Sequence, residues 1–587
     1  MKTCLLLDSL LKRPTTAGLV LVLSLVVAMP AAKAAATIKD IATDANDPSN
    51  LSDTEPSIAV NPINLQEIAV VAFSEPWDPN DPTVMAPVWK SRDGGVTWKK
   101  IFQIPRPAAG AGGPFDQKIA FDASGKLYVA EIGGSACFVY RQTGTADAPL
   151  TVGAAYGVDQ PHLDVDKSAS SGFFKRLYSP WLNFGVSPEQ STVSNSTNFG
   201  ATMTDVAAGN NSSFPNRTTR IALAPDGKAY IIYKTREGSA GGNFENVHFY
   251  VRRSDDGGVT WTANGGTSGV SVHGASTVQT FFTTAFGNLA KGKVARARSS
   301  DAWIATDPSS GDVYAAYVSK DGSGFGQIFV ARSTDKGVNW TSARVTDGTH
   351  HSAYPEVAVA ANGAVGVLYI DYDDSGASTI FRHHFARSFD HGANWTDEIL
   401  QSMDPGSLAN AASGFLWGDY EGLTAIGQTF YGVFTGQSTG RATSQLDPIF
   451  FKESAQTNQP PNCSSAVANI PELWPPNHKF VSINILGVTD PNGDPVTITI
   501  NSIRQDEPLK GAGSGNTCPD ATGLGTKTAQ VLAERAGTGD GRVYHISFTA
   551  DDGKGGTCTG EVKVCVPHSK GKACVDQGSL FDSTVCP

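Results

Sequence analysis

"SDDGGVTW", residues 254–261, sets a serine, two acids, two glycines, a threonine and a tryptophan in eight positions. The same order returns as "SRDGGVTW" from Ser91, "STDKGVNW" from Ser333 and "SFDHGANW" from Ser388. A catalytic constellation needs one copy, whereas four copies point to architecture. The residue types suit a tight turn: the carboxylate can accept turn amides, a glycine supplies positive φ, and the tryptophan packs on a neighbour. A structural role is therefore expected for Asp93, Asp256, Asp335 and Asp390.

Around these turns runs a longer repeat. Short apolar segments open each unit: "PSIAV", "KIAF", "HLDV", "RIAL", "WIAT", "EVAV" and "GLTA". Each is followed, after a turn, by a second strand-like run such as "EIAVVAF", "KLYVAEI" or "KAYIIY". The openings align at Ile58, Ile119, Leu163, Ile221, Ile304, Val357 and Leu423. Ile58 and Leu423 lie 365 positions apart, so six intervals average about 61 residues. That period suits a four-stranded propeller blade. Seven blades are expected, or six if the last unit closes the ring with the first.

The four turns match S-x-D-x-G-x-T-W, with Asn339 and Asn394 in place of Thr in two copies. This resembles the Asp-box, or BNR repeat, of sialidase-like propellers. "EPSIAVNP" and "GDYEGL" are similar to a bacterial branch labelled as glycosyl hydrolases. The resemblance implies that each Asp-box joins the third and fourth strands of a blade, on the rim remote from the active face. It also implies action on glycans. True sialidases use three arginines, a Tyr–Glu nucleophile pair and an Asp acid. Here "FQIPRP", residues 102–107, places Gln103 where an arginine is required, and it follows the first Asp-box. Arg217, Arg220 and Arg236 are the arginines available, but no motif assigns them.

A propeller exposes its pocket where the innermost strands begin. Three or four positions before the aligned residues stand Glu55, Asp116, Asp159, Asp301 and Asp419, with Glu356 and Glu421 close by. Tyr354, Tyr420, Arg217, Arg220 and His162 occupy the same zone. The catalytic candidates are Asp419, Tyr420, Glu421, Asp159, Asp301, Glu55 and Asp116; the substrate-binding candidates are Arg217, Arg220, Tyr354 and His162. Converging carboxylates suit a general acid and base, or a cation such as Ca²⁺. The bland reading is that these acids cap strand ends. Adjacent strand residues face opposite ways, so Tyr420 and Glu421 act together only if the segment bends. "HH" at 350–351 and at 383–384 admits lyase chemistry as a further alternative.

Export is read from the start of the chain. Lys2, Lys12 and Arg13 precede the apolar run at 17–29, and Ala32 and Ala34 offer a cleavage site. Thirteen apolar residues are too few to span a bilayer, so residues 1–34 are expected to be a signal peptide of a secreted, periplasmic or surface protein without a transmembrane segment. The net charge of −11 argues against a nucleic-acid partner. Cys4 leaves with the signal. Cys463, Cys518, Cys558, Cys565, Cys574 and Cys586 crowd the last 130 residues and read as disulfides, with Cys565–Cys574 the best local pair. Cys137 is expected to be a small buried residue.

The reading is an all-β chain: a propeller over 37–452, a linker over 453–462 and a disulfide-rich domain over 463–587. That last segment alternates apolar and polar residues as half-buried strands do. "LWPPNHK" and "VTDPNGDPV" resemble bacterial Ig-like modules. Asp490, Asn492 and Asp494 are the types that ligate Ca²⁺, although a plain acidic turn explains them as well. The expected function is action on an extracellular glycan or glycoconjugate, glycoside hydrolase-like and without a cofactor beyond the Ca²⁺ just considered. The alternative is a non-catalytic glycan- or protein-binding propeller with an adhesion module.

Overall fold

The computed structural model describes residues 36–586 except 48–50, 76–84, 106–112, 145–147, 210–212, 267–268, 283–294, 298–300, 374, 376–378, 409–415, 455–458, 492–494, 511–512, 515–516 and 554–555. The expected signal peptide, Asn492 and Asp494 lie outside the described residues. Among the described residues the fold is all-β, with no α-helix and one short 3₁₀ turn at Pro405–Ser407. Among the described residues no helix is long and apolar enough to cross a membrane. The chain divides into two compact units, one within Ala35–Thr457 and one within Asn458–Pro587.

In the larger unit seven antiparallel sheets, each built around a four-strand path, follow one another in sequence among the described residues. Their first strands are Ser52–Val60, Phe115–Phe121, Asp164–Val165, Asn216–Leu223, Trp303–Thr306, His351–Val359 and Gly422–Ile426. Each first strand packs on the first strand of the next sheet, and the last packs on the first, so the sheets form a closed cycle consistent with a propeller. Every sheet is covered on both faces, which explains continuous apolar runs such as Ile68–Phe73. Between the last and first sheets, Ile58, Val60, Val70, Trp89, Val433 and Phe450 bury one such apolar layer. Burial of this kind stabilises by about 25 cal/mol per Å² of apolar surface.

The cycle closes through the beginning of the chain. Gly422–Ile426, Thr429–Gln437 and Leu446–Ser454 are completed by Thr37–Asp40, which pairs Thr37 with Lys452 and Asp40 with Ile449. The last unit thus forms its own sheet. Arg441 locks this junction: Nε donates to Asp447 at 2.7 Å, Nη1 to the Asp47 carbonyl at 2.7 Å, and Nη2 lies 3.3 Å from Asp53. Its side chain is buried, so removing one partner would leave a charge that water cannot reach.

The four turns beginning at Ser91, Ser254, Ser333 and Ser388 each connect a third strand to a fourth. In the box at 254–261, Ser254 Oγ donates to Asp256 Oδ1 at 2.8 Å and accepts from Gly258 N at 2.8 Å. The Asp256 carboxylate also accepts from Thr260 N at 2.9 Å and Thr260 Oγ1 at 2.6 Å. Asn339 and Asn394 replace the threonine hydroxyl with an amide donor, at 2.6 and 2.7 Å. Register places the turns away from the candidate acids: Ser91 pairs with Ile68, which pairs with Val60 at the end of the innermost strand, whereas Glu55 stands near its start.

A fifth box went unread in the sequence. Ser196 Oγ donates to Asn198 Oδ1 at 2.9 Å and accepts from Gly200 N at 2.9 Å, while Thr202 N donates to Asn198 Oδ1 at 3.0 Å. Asn replaces Asp and Met203 replaces Trp in "STNFGATM", so a pattern requiring the acid passes over it.

The smaller unit holds two four-stranded sheets. One runs Val467–Ala468, Phe480–Leu486, Thr528–Leu532, Ala521–Thr522; the other runs Thr557–Val566, Arg542–Asp551, Thr497–Gln505, Phe581–Asp582. Ile483, Ile500, Val531, Ile546, Phe548 and Val564 belong to their shared core. Three disulfides staple it: Cys463–Cys558, Cys518–Cys586 and Cys565–Cys574. Cys137, in the larger unit, is a buried free thiol.

Candidate functional site

The site begins with a backbone irregularity repeated around the axis. Pairing of the first two strands slips between Thr54 and Ser57, Phe115 and Lys118, Arg217 and Arg220, and Ala353 and Glu356. At each slip a non-glycine residue is left-handed: Glu55 (φ 51°), Asp116 (49°), Thr218 (44°) and Tyr354 (57°). Gln160 (48°) holds the equivalent place before Leu163. All five stand three positions before their aligned apolar residue. Such bulges re-aim side chains at sheet ends, and the strained φ costs on the order of 1–3 kcal/mol each, borne by the surrounding structure.

Three of the expected acids converge. Glu55, Asp116 and Asp419 each place a carboxylate oxygen within 4.8 Å of the others. Glu55 Oε1 accepts from Asp419 N at 2.9 Å, and Tyr420 Oη donates to Asp116 Oδ1 at 3.2 Å. Gly418, at φ 102°, permits this approach, because a Cβ there would lie 2.2 Å from Glu55 Cγ. Burial pushes the Glu55 carboxyl well above its usual range, and the charges of Asp116 and Asp419 push it further. The arrangement can hold a proton among three carboxylates, or one cation.

Beneath the trio the axis is filled by a layer from the position just before five of the seven aligned residues: Lys118, His162, Arg220, Trp303 and Glu356, joined by Tyr420. Lys118 Nζ lies 3.7 Å from the Tyr420 ring centroid and 4.6 Å from that of Trp303. Arg220 sits over the same two rings at 5.4 and 5.2 Å. Burial pulls the Lys118 ammonium down to about 7, against the pull of Glu356 and with the repulsion of Arg220. Burial pushes Glu356 up to about 8, partly offset by Lys118. A small cavity of about 10 Å³ lies between Arg220, Asp301, Trp303 and Tyr420, close to the least that one water requires.

The other expected residues are distributed differently. Asp301 meets Arg220 Nη2 at 3.3 Å and Lys234 Nζ at 3.8 Å, so it enters an ion-pair network with Glu245 rather than the trio. Tyr354 Oη donates to the Gly418 carbonyl at 2.6 Å and supports the turn carrying Asp419. His162 stands edge-on to Trp303 at 5.1 Å; burial, then Lys118 and Arg220, hold its ring neutral. Asp159 accepts from Leu182 N through its carbonyl at 3.0 Å and is not in the trio. Arg217 pairs with Glu189 at 3.2 Å and Arg236 with Glu245 at 2.6 Å. Tyr420 and Glu421 have different partners: Tyr420 Oη meets Asp116, whereas Glu421 Oε2 accepts from Thr435 N at 2.7 Å and Oε1 lies 3.4 Å from His383 Nε2. Both residues lie in the non-strand segment between Leu416–Gly418 and Gly422–Ile426, and their side chains make separate contacts.

His351, His383 and His384 lie in strands of the sixth sheet, and His350 immediately precedes it. His383 is buried against Phe434, with ring centroids 4.3 Å apart, and burial holds it down at about 3. His384 is lifted to about 9, because bonds to Asp371 and Asp397 outweigh its burial. His351 stacks on Tyr372 at 5.6 Å, and His350 lies 3.6 Å from Asp373. Lys118 and Trp303 went unread as site residues. The aligned offset of one position would have found them, since Ser57, Lys118, His162, Arg220, Trp303 and Glu356 all share it.

No family model matches the chain, and no curated protein matches it. Solved structures similar to it include a polysaccharide lyase described as an ulvan lyase (9% identity, 70% of this chain and 95% of that one, TM-score 0.43). An α-L-arabinanase of Penicillium chrysogenum (14%, 72% and 99%, TM-score 0.37) and a Hadza microbial sialidase (14%, 69% and 66%, TM-score 0.35) are also similar. At these values the argument for chemistry rests on the axial residues themselves.

Proposed function

We propose that the larger unit is a seven-bladed propeller of the sialidase-like, Asp-box type, that the smaller one is an Ig-like sandwich, and that the exported protein hydrolyses extracellular glycans at the axial acids. The observation that carries this reading is the convergence of Glu55, Asp116 and Asp419 from three chain segments. Each offers a carboxylate oxygen within 4.8 Å of the others, close enough for two of them to act on one glycosidic bond. Glu55, held protonated, serves as the general acid. Asp116, the more exposed member, with Tyr420 Oη on Oδ1, serves as the nucleophile.

Substrate charge follows from the same residues. Arg220 lies under aromatic rings and is tied to Asp301, while Arg217 and Arg236 are paired with Glu189 and Glu245. No trio of open guanidinium groups faces the acids among the described residues. The site therefore favours a neutral sugar over a sialoside. Since the layer under the trio blocks passage along the axis, a chain end enters rather than threads through.

A second reading is favoured by the short distances within the trio: one Ca²⁺-sized cation bridges the carboxylates and the propeller binds a glycan without cleaving it. Both are tested with neutral and acidic oligosaccharide panels, in EDTA and in Ca²⁺. Hydrolysis of a neutral glycan in EDTA, lost in Asp116→Asn and Glu55→Gln variants that keep their folded circular dichroism, supports the hydrolase. Glycan binding that needs Ca²⁺ and yields no product supports the binding module instead.

A further inference from the structure

The third sheet ends, toward the acids, in a hairpin turn that the trio does not use. Its second and third strands, Leu177–Asn183 and Gln190–Ser196, pair from Leu177 with Ser196 to Asn183 with Gln190, so residues 184–189 form the turn beyond them. Two backbone bonds fix its height. Leu182 N donates to the Asp159 carbonyl, and Asp159 adjoins Gln160, the left-handed equivalent of Glu55 and Asp116. Asn216 N donates to the Glu189 carbonyl at 2.9 Å, two residues before the left-handed Thr218 of the fourth sheet. The turn therefore stands at the same end of the ring as the acid trio.

This turn carries an aromatic ring braced in the open. Phe184 is 49% exposed. The Arg217 guanidinium lies over its ring, 5.5 Å from the centroid, and donates to Glu189 Oε1 at 3.2 Å. A cation thus steadies one side of the ring, and a carboxylate steadies the cation. The side chains of Arg217 and Glu189 remain 24% and 29% exposed, so solvent reaches them. Phe214, three residues before Arg217, is exposed as well. A single apolar residue on a surface is ordinary. A braced phenyl ring beside a charge-balanced donor and acceptor pair, on the face that bears the acids, has the make-up of a ligand subsite.

We propose that Phe184, Arg217 and Glu189 form an outer subsite for a neutral sugar unit of the glycan whose end enters at the axial acids. The C–H face of a sugar ring is apolar and packs on the exposed side of the phenyl ring. Neighbouring hydroxyls accept from the Arg217 guanidinium and donate to the Glu189 carboxylate. The pair carries no net charge, which suits a neutral polyol, whereas an acidic sugar would meet repulsion from Glu189. The subsite rests on the glycan reading but not on cleavage. Whether the trio hydrolyses the glycan or only binds it, a chain long enough to reach Phe184 is the better ligand.

Wild type, Phe184→Ala and Phe184→Trp compared on neutral disaccharides and hexasaccharides test the proposal. The readout is the preference for the longer chain, in KM and kcat where product forms and in Kd by calorimetry where it does not. Wild type should prefer the hexasaccharide. Phe184→Ala should lower that preference about tenfold, through KM or Kd rather than kcat, and Phe184→Trp should keep it. The ring is exposed, so both variants should retain the folded circular dichroism of wild type. A preference equal in wild type and Phe184→Ala, or a wild type that treats both lengths alike, overturns the subsite and leaves the glycan reading standing. A wild type that neither binds nor cleaves any neutral or acidic oligosaccharide overturns that reading, and the subsite with it.

Discussion

Replacing Glu356 by glutamine should favour the variant over wild type more at pH 8 than at pH 5. The wild-type carboxyl is fully buried and is raised from 4.5 to about 8, chiefly by burial. Below pH 4.5 it is protonated in both folded and unfolded chains. Between pH 4.5 and about 8 the folded state keeps a proton that the unfolded state has released, so its contribution declines steadily as pH rises through that window. A span of about 3.5 pH units at about 1.4 kcal/mol each sets an upper bound of roughly 5 kcal/mol. Effective dielectric response inside proteins lowers this, and about 2 kcal/mol is the expected difference.

The amide mimics the neutral acid. It keeps the oxygen that accepts from Glu421 N at 3.0 Å and leaves two unpartnered N–H donors in place of one O–H, a cost of about 1 kcal/mol that does not vary with pH. Urea unfolding of wild type and Glu356→Gln, followed by tryptophan fluorescence at both pH values, isolates the titrating part. A stability difference between the two proteins that is the same at pH 5 and pH 8 would refute the reasoning, for it would mean that Glu356 is ionised in the folded protein throughout.

Asp256→Ala removes the acceptor of the Ser254, Thr260 N and Thr260 Oγ1 bonds and should cost about 1–3 kcal/mol in urea unfolding, with glycan hydrolysis or binding unchanged. Asn198→Asp should complete the fifth box and raise stability by up to about 1 kcal/mol, measured the same way, because a charged acceptor strengthens the bond from Thr202 N. Reduction of Cys463–Cys558, Cys518–Cys586 and Cys565–Cys574 should unfold residues 458–586 at lower urea than the ring, seen as early loss of amide-exchange protection in that unit alone.

The letters of the chain decide its local geometry. Ser, Asp, Gly and Thr at fixed offsets satisfy one another within eight residues, so each Asp-box turn is specified without help from distant residues. The apolar runs are legible for a similar reason, since strands covered on both faces need apolar side chains at nearly every position. The offset that carries Glu55 and Asp116 toward the axis could likewise be counted. Convergence could not. Glu55 and Asp419 are 364 positions apart and meet only because Thr37–Asp40 closes the last sheet and Gly418 lets the two segments touch. The fates of Asp301 and Glu421 also lay beyond the sequence. Which acid joins the trio, which is drawn to Arg220 and Lys234, and which turns to Thr435 and His383 depends on bulges and on charges from neighbouring sheets. Electrostatic partners inside a ring are set by distances across the axis, and distances across the axis exist only once the ring has closed.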